Sequence, residues 1–147
     1  MAANTQPIYT LTPNVSSILI PTTNAQVKSD GTSAGSGTDL VYKVFTAGAN
    51  GSFLEVIRFW CVASAAATTS VATTLRAYLS TVASPGATVN TDTYLLGEVS
   101  VPAQSASHST NATNYYDIII AKAIPTGRYV HVSQHVAQTT NQNWMAM

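Results

Sequence analysis

Gly31-Thr32-Ser33-Ala34-Gly35 fits G-x-S-x-G, the pattern in which a strained turn lifts a serine hydroxyl toward a substrate carbonyl. That chemistry needs a strand before the serine and a helix after it. Here the upstream TTNAQVK makes a poor buried strand, and the downstream TDLVYKV reads as a strand and not a helix. The motif also lies inside SDGTSAGSGTD, residues 29–39, a Gly/Ser/Thr/Ala connector that reads as a flexible, solvated loop. Ser33 is therefore read as small and polar rather than nucleophilic.

His131 and His135 stand four apart. On a helix that spacing presents two imidazoles to one metal ion. On a strand, at about 3.3 Å per residue, they are roughly 13 Å apart, far beyond two zinc–nitrogen bonds of about 2.0–2.1 Å. Val130, Val132 and Val136 favour strand, with Tyr129, His131, Ser133 and His135 on its more polar, solvated or interface-forming face. His108 lies in a polar loop with no partner nearby in sequence. Of the six carboxylates, Glu55 and Asp117 fall within strands, where pairing with Arg58 or Arg76 is expected. No phosphate-cradling glycine loop, metal-ligand cluster or Cys/His signature is visible. Catalytic, metal and cofactor sites are not expected, and the chain is read as a non-enzyme.

Composition narrows the remaining classes. The 147 residues suit one domain, with no metal or disulfide staple needed. The single cysteine, Cys61, lies in the apolar run FLEVIRFWCVA and reads as a buried small hydrophobe. Only 8% of residues are charged and the net charge is zero, against about 25% charged in an average domain. There is no basic footprint for nucleic acid and no polybasic segment for a membrane. A near-neutral surface favours association, which suits a subunit of a stable assembly. The start, MAANTQPIYTLTPN, has neither a positive n-region nor an apolar h-region, so synthesis in the cytoplasm without a leader is expected.

The elements that would carry such surfaces have period 2. LVYKVFTA (40–47), the turn GANG and SFLEVIRFWCVA (52–63) read as a hairpin. In the second strand Phe53, Ile57, Phe59 and Cys61 share one face; Leu54, Val56, Arg58, Trp60 and Val62 share the other. Both are mostly apolar, as in a central strand covered on both sides. Strands are also expected over ATTLRAYLSTV (72–82), TYLLGEVSV (93–101), YYDIIIAKA (115–123), GRYVHVSQHV (127–136), SSILI (16–20) and NWMAM, with a hairpin at Ile124-Pro125-Thr126-Gly127. ASAAATTSVATTLRA tempts a helix, but its Thr and Ser content argues against one. About eight strands joined by turns predict an all-β fold: an antiparallel β-sandwich, jelly-roll-like, over residues 16–147. Residues 1–15, with Pro7 and Pro13, read as an extended N-terminal arm whose Ile8, Tyr9 and Leu11 could anchor in a neighbour.

FTAGANGSFLEVIRFWCVASAAATTSVATTLRAYLS, with its F-x-E-x-I-R-F strand, resembles small structural proteins of tailed bacteriophages. The similarity continues through LLGEVSVPAQSASHSTNATNYYDIIIAKAIPTGRYVHVS and spans roughly residues 39–145. The resemblance implies a virion component on the capsid surface: a decoration, or cement, protein acting as a homo-oligomer, with a trimer favoured. It would bind the major capsid protein and carry no catalytic residues. Multivalent contact would make weak individual contacts effective. Ile8, Tyr9, Leu11, Tyr129, His131 and Trp144 are the expected contact residues. The competing reading is a tail- or fibre-associated β-sandwich module that binds host glycans or other virion proteins, with Tyr115, Tyr116, Tyr129 and Trp144 lining a platform for the glycans. A core or subunit-interface role is favoured for these aromatics.

Overall fold

The computed structural model describes residues 15–22, 41–65, 68–83, 93–107, 109 and 114–147. The arm residues Ile8, Tyr9 and Leu11, the 29–39 loop with Ser33, and His108 lie outside the described residues.

Alternating apolar and polar side chains, rich in β-branched and aromatic types, give ten strands and no helix among the described residues. They are β1 (Ile18–Ile20), β2 (Tyr42–Thr46), β3 (Ser52–Ala63), β4 (Thr68–Thr69), β5 (Thr73–Ser80), β6 (Thr93–Val101), β7 (Ser105–Ala106), β8 (Tyr115–Ile124), β9 (Tyr129–Gln134) and β10 (Gln142–Ala146). Sheet A has the order β1-β10-β3-β8, sheet B the order β2-β9-β5-β6, and β4 with β7 forms a small ladder. All pairings between these strands are antiparallel.

The pairs β5·β6, β3·β8, β2·β9 and β1·β10 nest one outside the next around the β5–β6 connection. The chain is thus one long hairpin rolled into two sheets, which is a jelly roll. The inner faces of both sheets meet in a single core that includes Ile20, Ile57, Phe59, Leu75, Val130, Val132 and Trp144. At Gly97 in β6 the layers pack closely: a Cβ there would sit 2.7 Å from Cγ2 of Ile118 in β8.

Two turns read as hairpins are corners between the sheets. β2 pairs with β9 in sheet B, whereas β3 pairs with β10 and β8 in sheet A. The Gly48–Gly51 turn, closed by Gly51 N–H donating to Gly48 O at 2.9 Å, carries the chain across. Gly51 takes φ 81°, and a Cβ there would meet Ile124 O at 3.0 Å. Ile124 opens the second corner, Pro125–Gly127, which takes β8 of sheet A to β9 of sheet B, with Gly127 at φ 70°. Turn chemistry fixes a local reversal; it does not fix which strands pair on either side of it. Both corners therefore pack together at one end of the sandwich.

The face assignment of β3 also changes. Phe53 is 62% exposed, while Leu54 packs against the core. A register shift between Leu54 and Val56, opposite Ala121 at φ 47°, separates the two halves of the strand. Beyond it Ile57, Phe59 and Cys61 are buried as expected.

Candidate interaction surface

Because Ile57, Phe59 and Cys61 point into the core, Val56, Arg58, Trp60 and Val62 point out of sheet A. Strand register places their neighbours. Leu19, Met145, Trp60 and Tyr115 form one row across all four strands, and Val56 faces Ile119. Ile119 is 78% exposed, Tyr115 57% and Leu19 46%. The outer side of a sandwich sheet is ordinarily polar; this one is apolar and aromatic.

The charges along these rows are Arg58 and Asp117, directly opposite each other. Arg58 Nε donates to Asp117 Oδ1 and Nη2 to Oδ2, each at 2.7 Å. The Arg58 hydrogen bonds hold the Asp117 carboxyl below the usual carboxylate range, and the same bonds raise Arg58 further. An ion pair this accessible contributes little to folding. Its geometric effect is larger: the guanidinium is fixed with Cζ 4.0 Å from the Tyr115 ring centroid and 5.9 Å from that of Trp60. Arg, Trp and Tyr are the residue types that dominate protein–protein contacts. Burying this pair under a partner leaves neither charge without its counter-ion. With Arg58 over its face, Tyr115 is poorly disposed as a sugar-stacking platform.

The outer face of sheet B is different: polar, yet buried, along its two central strands β9 and β5. Tyr78, Ser80, His131 and Ser133 are fully buried and Arg76 nearly so. Ser133 Oγ donates to Tyr78 Oη at 3.3 Å, Arg76 Nε donates to Glu98 Oε2 at 3.0 Å, and Arg76 Nη1 lies 3.4 Å from His135 Nδ1. His131 Nε2 lies 3.1 Å from Ala83 O. Burial raises the Tyr78 phenol, against the smaller lowering effect of its Ser133 bond. No group of three or more metal-ligating side chains occurs among the described residues.

Of the contact residues expected from sequence, Tyr129, His131 and Trp144 are described: Tyr129 and His131 lie side by side on β9, ring centroids 6.5 Å apart, and Trp144 lies on β10 in the other sheet. Trp144 is fully buried, edge-on to Tyr116 at a centroid distance of 5.9 Å. It belongs to the core, since the register of β10 turns Trp144 inward beside Cys61 and leaves Met145 outward. His131 is likewise fully buried, which corrects its assignment to a solvated or interface-forming face. Tyr129 is half-buried, with Lys43 Nζ 5.5 Å from its ring centroid. The expected pairing of Asp117 with Arg58 is present; Glu55 is exposed, and the partner of Arg76 is Glu98. Arg58, Tyr115, Leu19 and Met145, as one surface, were not picked out from the sequence. Their signal was the apolar second face of β3, read as that of a central strand covered on both sides.

Comparison with protein families, with characterised proteins and with solved structures finds no match to this chain.

Proposed function

We propose that this chain is a structural component of a tailed-phage particle, a capsid decoration protein that binds the major capsid protein and stabilises the head. The observation that carries the reading is the outer face of sheet A: open, apolar, and organised around an Arg58–Tyr115–Trp60 stack. That composition matches the charge-poor, aromatic- and Arg-rich centre of protein interfaces. The near-absence of charge over the whole sequence, 8% of residues, supports the same reading, as does the phage resemblance over residues 39–145. The jelly roll supplies a rigid two-layer body, and contact with neighbours is its work. Ile8, Tyr9 and Leu11 are the proposed contacts with the capsid protein. Quantitative mass spectrometry of purified particles tests this. The chain should be present in many copies per particle, and its absence would refute the proposal.

A further inference from the structure

We infer that the outer face of sheet A is covered by the same face of a second copy, the two related by a twofold axis. This rests on the reading of that face as a protein contact and names its occupant. Three features point to a second copy. The first is charge. Among its described residues the charges on the face are the closed ion pair Arg58–Asp117, and the chain has zero net charge, so nothing there selects a charged partner. The second is availability. On the outer side of sheet B, Tyr78, Ser80, His131 and Ser133 are fully buried and the exposed large apolar side chains, Tyr94 and Leu95, lie on the edge strand β6, whereas sheet A exposes Leu19, Tyr115 and Ile119. The third is self-complementarity of the register.

The row Leu19–Met145–Trp60–Tyr115 crosses the sheet from edge to edge. A twofold axis in the interface, parallel to the strands and between β10 and β3, lays this row over its own reverse. Met145 then meets Trp60 of the other copy, a thioether against an aromatic ring. Leu19 meets Tyr115. In the next row Arg58 comes over Met147, which pairs with Arg58 in its own sheet through mutual backbone bonds of 2.8 and 2.9 Å. No like charges oppose each other. Two aligned sheets can approach to about 10 Å in this way, and the contact is isologous and closed.

Leu19 and Tyr115 stand three strand spacings apart within one chain, about 14 Å, so charges placed there meet only between copies. The test is solution mass by light scattering. The wild-type chain should have twice the 15.4 kDa of one chain. Leu19→Glu alone and Tyr115→Lys alone should each fall to the single-chain mass. Mixing the two variants, or combining both substitutions in one chain, should restore the doubled mass. A wild-type mass of one or three chains would overturn the inference, as would single variants that stay paired or a combined variant that stays single. None of these outcomes bears on whether the chain is found in particles, so the pairing can fail while the virion reading stands.

Discussion

Arg58 and Asp117 face each other in register across β3 and β8 and are joined by two parallel N–H···O bonds of 2.7 Å. The same contact sets the guanidinium over Tyr115. Asp117 is held below its ordinary value by its bonds to Arg58, so its folded-state pKa lies below the unfolded value of about 3.9. The stabilisation it provides is complete above that unfolded value and is lost as pH falls through the folded one. Asp117→Asn removes it at all pH values. Because so accessible a pair contributes little, urea midpoints of the two proteins should differ only slightly at pH 7 and converge in acid. A gap that is unchanged at pH 2 would contradict the role given to this pair.

At alkaline pH the sign reverses. Burial raises both the Cys61 thiol and the Tyr78 phenol, despite the lowering bonds each receives from serine. Each group stabilises the fold fully below its unfolded value, and that contribution is lost as pH rises through the folded value. Cys61 Sγ lies 3.0 Å from Gln142 Oε1 within the core. A thiol reagent at pH 8 should leave Cys61 unmodified in the native protein and label it fully in denaturant. Rapid native labelling would contradict its burial.

Gly97→Ala places a methyl group 2.7 Å from Ile118 Cγ2, across the interface of the two sheets. Ile118 is itself buried, so the layers must part or its rotamer change. A loss of about 1–3 kcal/mol is expected, read as a lower denaturation midpoint with an unchanged slope. A neutral result would show that the sheets can separate freely there.

Trp144→Ala should cost about 3–5 kcal/mol, the range for deleting a buried large aromatic. Ile119→Ala, on the open face, should stay within about 0.5 kcal/mol in the monomer. If Trp144→Ala left stability intact and abolished assembly, the assignment of Trp144 to the core would be wrong.

The strands were legible because their side chains alternate. Even the short NWMAM segment, a strand by its pattern, is β10. Which face of that strand is inward was not legible: five residues offer two parities, and Trp144 and Met145 are both apolar. Register with β3, a long-range relation, decides between them. The polar side chains of β9 were misleading for a related reason. His131 and Ser133 resemble a wetted face, yet each meets a polar group far away in sequence, at separations of 48 and 55 residues. Sandwich corners posed the same difficulty. Asn50-Gly51 announces a sharp reversal, but the nested pairing that places β2 and β3 in different sheets is a property of the whole chain. Arg58 was legible as an ion-pairing residue, whereas its stacking on Tyr115 depends on the β3·β8 register.

The most direct test is a reconstruction of the particle at side-chain resolution. It should show this jelly roll repeated over the capsid surface, with Leu19 and Tyr115 buried against another copy. A particle without this fold, or one in which the outer face of sheet A is bare to solvent, would contradict the account.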